Sequence, residues 1–154
     1  TSELQRTWQT VQEFTKNGLE HEKYEHLNEI SWGEKEGRPL TAEDDKLHFN
    51  MLDGWKKGHY YLKAPLGESP LELQERQRKV IQLFREREDE KNILVCTHGR
   101  AMRILFCTML DLPLYNMDSF KHQNVCLYVL EYNGKRFSLK VKNEISHLKN
   151  IIAS

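Results

Sequence analysis

The chain has 154 residues, room for one domain with one core. Its 23 basic and 23 acidic side chains cancel, so no global field draws it to nucleic acid or a membrane, and anion binding falls to local clusters. No apolar run reaches the roughly 18 residues of a transmembrane helix. The three cysteines, Cys96, Cys107 and Cys126, lack metal-ligand or CxxC spacing, which reads as reduced packing residues of a cytoplasmic protein. A hydrophobic fraction of 38% is low against the roughly 45–50% of globular domains, a figure that also counts glycine.

In chain order, residues 3–16 predict a helix from the spacing of Leu4, Trp8, Val11 and Phe14, with Ser2 as N-cap and Gly18 as terminator. Residues 24–40 lack a period and carry Gly33, Gly37 and Pro39, so they read as loop. Thr41-Ala-Glu-Asp44 resembles a capping box and opens a short helix bearing Leu47, Met51, Leu52 and Trp55, stopped near Gly58. An aromatic loop with Tyr60, Tyr61, Pro65 and Gly67 follows. Ser69-Pro70-Leu71-Glu72 is a stronger start, and its helix runs through Leu73, Val80, Ile81 and Phe84 to near Asp89.

Ile93–Thr97 is a continuous apolar run of the kind found in strands buried on both faces. Ala101–Leu110 is apolar nearly all round, which predicts a sandwiched helix. Val125–Tyr132 and Phe137–Val141 flank Asn133-Gly134 and read as a tight hairpin. The order of elements predicts an α/β layered domain.

The most informative stretch is Asn92–Arg100, an apolar strand running into His98-Gly99 and then a helix. The first N–H groups of a helix have no intrahelical acceptor, and its dipole adds positive charge there, so this is the layout of an anion site. Arg100 and Arg103 lie near the start of that helix, where cations oppose the dipole unless an anion is present. Gly99 lets backbone approach a ligand. Taken singly, Arg6 reads as an exposed helix charge and Glu29 as a solvated loop acid.

Together these residues form a pattern. Thr1-Ser2-Glu3-Leu4-Gln5-Arg6-Thr7-Trp8-Gln9-Thr10 is similar to the Ser-x-Leu-x-Arg-Ala-x-Gln-Thr helix of the histidine phosphatase (phosphoglycerate mutase-like) superfamily, with Thr7 where Ala is usual. Leu27-Asn28-Glu29 with Gly33 and Glu36-Gly37 resembles its acid loop, Gly67-Glu68-Ser69 with Arg76 its Gly-Glu-Ser segment, and Thr97-His98-Gly99-Arg100 with Arg103 its second His-Gly motif. Asn124, and Asn143 through His147-Leu148, resemble its closing segments.

The resemblance implies a three-layer α/β domain with a mostly parallel central sheet and helices on both faces, spanning 1–154 with a short cap insertion at about 37–66. It implies that Arg6, His98 and Gly99 bind a transferred phosphoryl group. His98 would also stabilise charge on it, and Glu29 would protonate the leaving oxygen. Phosphoryl transfer spreads charge over equatorial oxygens, so positioned cations and N–H donors carry most of the catalysis; no metal and no cofactor are expected. The short cap and the Arg100 after His-Gly favour the phosphatase branch over a mutase. Phe49 and Trp55 read as core packing, Tyr60, Tyr61 and Arg100 as candidates for the substrate pocket, and Lys56 and Lys57 as solvated. The expected partner is a phosphorylated small molecule, not nucleic acid or membrane, and a homodimer is left open.

One departure is large. The family's Arg-His-Gly segment, whose histidine is phosphorylated, has no counterpart here, since the only His-Gly is His98-Gly99. The chain opens on Thr1 without methionine, and the expectation is a truncated or cleaved chain lacking its first strand, inactive by itself. The alternatives are a phosphate-binding pseudo-phosphatase and a cofactor-dependent mutase.

Overall fold

A computed structural model describes residues 1–39, 41–87 and 89–148. Four helices carry most of the core: α1 (Gln5–Lys16), α2 (Ala42–Lys56), α3 (Pro70–Glu86) and α4 (Gly99–Met109). Two strands follow, β1 (Leu127–Tyr132) and β2 (Phe137–Glu144). The starts of α2 and α3 follow from local chemistry. Thr41 and Ser69 accept from the backbone N–H of Asp44 and Glu72, and each acid reaches back to the cap's own N–H. Lys35, the Thr41 backbone and Arg38 hold the Asp44 carboxyl well below the usual carboxylate range. The start of α1 differs from expectation. Its N-cap is Leu4, with no side-chain cap bond, because the Ser2 hydroxyl is turned inward to His98.

Helix α4 sits between two apolar clusters, as its all-round apolar sequence predicts. Ile104 and Cys107 face one, with Ile30, Met51, Trp55 and Leu73. Leu105 and Met109 face the other, with Leu27, Val80 and Ile81. Gln77 of α3, fully buried, donates from Nε2 to the Ala101 carbonyl at 2.8 Å and braces α3 against the first turn of α4. The thiols are unpaired, and burial pushes the Cys107 thiol up to about 12, which makes it a packing group.

The expected mostly parallel central sheet is not formed among the described residues, whose one sheet is the antiparallel pair β1–β2. Ile93–Thr97 forms neither helix nor strand. Ile93 and Leu94 are exposed. A strand exists through a ladder of backbone bonds to a neighbour. This segment is instead tied by single bonds, from the Ser2 N–H to the Cys96 carbonyl at 3.3 Å and from the Thr97 hydroxyl to the Leu27 carbonyl at 2.8 Å. The hairpin turn is longer than Asn133-Gly134 suggests. Tyr132 pairs with Phe137 across a four-residue loop, in which the Asn133 side chain accepts the Lys135 and Arg136 N–H groups. Phe49, read as core, is 67% exposed, whereas Trp55 is buried with its indole N–H on the Leu62 carbonyl.

Candidate active site

The start of α4 organises everything around it. His98 is its N-cap, in extended backbone and without a side-chain cap bond, so the buried imidazole is free for other partners. The Arg6 guanidinium donates from Nε to His98 Nδ1 at 3.0 Å, and the other ring nitrogen, Nε2, lies 2.8 Å from Ser2 Oγ. Burial, and then the Arg6 charge, lower the His98 pKa, with Glu29 opposing. The ring is therefore neutral near pH 7.

Glu29 reaches the same helix terminus from the acid loop. Its Oε1 accepts the Ala101 N–H at 2.8 Å and the Ile30 N–H at 2.9 Å, and its Oε2 accepts the Arg100 N–H at 3.1 Å. A carboxylate at this position is what the helix dipole favours. Glu29 thus takes N–H groups that the sequence pattern offered to an external anion. Gly99, one residue ahead, keeps an N–H without an acceptor inside the helix.

The acid loop is held by two devices. Gly33 has φ +56°, and a Cβ there would stand 2.1 Å from the Pro65 carbonyl oxygen, so only glycine fits. Arg76 of α3 grips both oxygens of Glu68 at 2.8 Å and donates to the Glu25 and Asn28 carbonyls at 2.6 and 3.2 Å. The bidentate geometry suits a guanidinium, and it fastens the residue before Glu29 to α3.

Arg100 and Arg103 find their anion in Asp118, whose Oδ1 accepts from both at 2.6 and 3.1 Å. The Arg100 guanidinium also lies 5.4 Å from the Trp55 ring centroid, a cation–π contact with the cap. Arg103 Nη2 is 3.1 Å from His122 Nδ1, and a Cβ at Gly99 would stand 2.5 Å from His122 Nε2. Glycine at 99 therefore makes room for the His122 ring.

Arg6, Glu29, His98, Gly99 and Arg100 thus converge on one helix terminus. Tyr60 is half-buried against the main core, its phenol pKa raised by burial first and by neighbours including Asp118. Tyr61 is 64% exposed and makes an edge-to-face contact with the His59 ring instead. Four residues escaped the sequence reading: Ser2, Thr7, Asp118 and His122. Thr7 alone carried a signal, as a polar residue on the apolar face between Leu4 and Val11. Among the described residues no group of three or more His, Cys, Asp or Glu could hold a metal ion, and no helix is long and apolar enough to cross a membrane.

This fold is α/β, of the phosphoglycerate mutase-like kind. The model of the histidine phosphatase superfamily (branch 1) matches residues 1–145, and the chain belongs to that superfamily. It is 31% identical to a probable phosphoglycerate mutase GpmB of Yersinia enterocolitica over 136 residues, 86% of this chain and 61% of that protein. Against the protein of the same name from Serratia proteamaculans the identity is 30%, covering 96% of this chain and 71% of the relative. The chain thus spans about three fifths to seven tenths of these relatives. Among solved structures, the α-ribazole phosphatase of Shigella flexneri superposes with a TM-score of 0.78 at 22% identity, over 93% of this chain and 71% of that one. Bacillus stearothermophilus YhfR gives 0.76 at 27%, over 96% and 74%. A mycobacterial glucosyl-3-phosphoglycerate phosphatase complexed with inorganic phosphate gives 0.76 at 20%, over 93% and 74%.

Proposed function

We propose that these residues belong to a metal-independent phosphomonoester hydrolase that works through a phosphohistidine. The observation that carries the reading is the meeting of Arg6 with His98 at 3.0 Å, beside a helix terminus that also seats Glu29. Arg6 grips the phosphoryl oxygens beside the Gly99 N–H, His98 holds the guanidinium in place through Nδ1 instead of making the phosphoryl contact expected of it, and Arg100 borders the leaving group. Fixed cations and N–H donors stabilise the developing charge without reorganising during reaction. The phosphoryl acceptor is a histidine outside residues 1–154. Its nitrogen forms a bond to phosphorus as the ester P–O bond breaks, and Glu29, protonated for this step, gives the departing oxygen its proton; water then attacks phosphorus, the N–P bond breaks, and the proton that water sheds returns to Glu29. An alkoxide is a poor leaving group, so the proton matters.

The test pairs binding with turnover. Arg6→Ala abolishes binding of inorganic phosphate as followed by calorimetry. In the protein that carries the acceptor histidine, Glu29→Gln keeps phosphate affinity and slows alkyl phosphates by about 10²–10⁴-fold. Activated aryl phosphates are slowed less. Equal losses on both ester types would assign Glu29 to capping α4 alone. Phosphate binding without turnover of any ester would identify a phosphate-binding module. The names of the curated relatives support a mutase as second reading, which an isomerised ester in place of released phosphate would establish.

A further inference from the structure

His98 ends a line of hydroxyl groups whose directions can be worked out bond by bond. The Arg6 Nε–H has only a proton to give, so His98 Nδ1 must present its lone pair at 3.0 Å. A neutral ring then carries its proton on Nε2 and donates it to Ser2 Oγ at 2.8 Å. Ser2 Oγ also accepts the Leu4 N–H at 3.2 Å, so its own proton must leave in another direction. Thr7 Oγ1 lies 2.9 Å away. Thr7 in turn has the Leu4 carbonyl at 2.8 Å as acceptor, with the Ser2 carbonyl at 3.2 Å beside it. The line runs from imidazole through two hydroxyls to backbone carbonyl, with each proton accepted. Ser2 and Thr7 are both buried, at 0% and 2% exposure, so water cannot substitute for a missing member. The position of Thr7 is the one where the family pattern carries Ala, which has no hydroxyl.

We propose that Thr7 is a positioning residue that sets the direction of this relay, and through Ser2 holds His98 as its Nε2–H tautomer with Nδ1 facing Arg6. Thr7 acts because it takes the Ser2 proton. Without that acceptor the Ser2 hydroxyl turns round and donates to His98 Nε2. The ring proton then belongs on Nδ1, where it meets the Arg6 Nε–H head-on, and the guanidinium is driven off the ring. The tautomer and the placement of Arg6 are one choice, made seven residues into the chain. This inference rests on the phosphate-site reading only in its consequence for binding; the tautomer stands independently of it.

The test is long-range ¹H–¹⁵N correlation on histidine-labelled protein at a pH where His98 is neutral, with its ring assigned by His98→Asn. Wild type is expected to show a protonated Nε2 and an unprotonated Nδ1. Thr7→Val keeps the shape, removes the hydroxyl and shifts the His98 ring toward Nδ1–H, while Thr7→Ser restores the wild-type pattern. Titration with inorganic phosphate should show about tenfold weaker binding in Thr7→Val, the scale of one charge-assisted hydrogen bond, and recovery in Thr7→Ser. A Nδ1–H tautomer in wild type, which needs no variant to fold, overturns the proposal. So does an unchanged tautomer in folded Thr7→Val. A changed tautomer with unchanged phosphate affinity supports the relay and overturns the phosphate site.

Discussion

The two segments that meet at His98 are both apolar, yet they end in opposite environments. Ahead of it, Ile93 and Leu94 are 37% and 47% exposed. Behind it, Ala101, Ile104 and Cys107 of α4 are completely buried. Helix α4 satisfies its own backbone and needs only side-chain partners, which α2, α3 and the acid loop supply on two sides. Ile93–Thr97 would need a hydrogen-bonding neighbour along its length before its side chains could be enclosed. Apolar composition sets what burial is worth; backbone pairing decides whether it happens.

The sharpest way to break this comparison is to truncate its buried side. Ile104→Ala is expected to cost about 2–5 kcal/mol in denaturant unfolding, from lost transfer energy and the cavity left behind. Gly33→Ala comes next, at about 1–3 kcal/mol, because the new Cβ meets backbone and φ stays positive. Its loss should concentrate in the acid loop and loosen Glu29 from α4, visible as faster amide exchange at Arg100 and Ala101. The junction itself responds to acid. His98 has a folded-state pKa below its ordinary 6.5, so the unfolded chain binds its proton first and stability falls as pH drops below about 6.5. His21 and His122 shift the same way, so His98→Asn should make that decline shallower without abolishing it, as read from melting curves between pH 7 and pH 5. The smallest effect is expected on the exposed side. Leu94→Ala should stay within about 0.5 kcal/mol, and a loss of the Ile104 size would show that Leu94 is buried in solution.

What the sequence made legible was whatever is settled within a few residues. The capping boxes at Thr41 and Ser69 and the all-round apolarity of α4 needed no knowledge of the rest of the chain. Ser2 was misread as a cap because its partner is 96 positions away. The acid at Glu29 could be named from its motif, but its seat on the α4 N–H groups depends on where Gly33 and Arg76 hold the loop. Asp118 gave no sequence signal at all, since pairing with Arg100 and Arg103 requires the chain to turn back after α4. The strand expected at Ile93–Thr97 shows the limit of a continuous apolar run: it reports side-chain character and says nothing of who pairs with the backbone.

Arg76 gives the acid loop a mechanical consequence. With Glu68, the Glu25 carbonyl and the Asn28 carbonyl all on one guanidinium, the loop and α3 are a single lever, and Gln77 one position on is its fulcrum against α4. A tilt of α3 therefore cannot leave Glu29 behind. It pulls on the Glu29 backbone while the Arg100 and Ala101 N–H groups hold the carboxylate at the start of α4, so the loop is anchored to two helices at once.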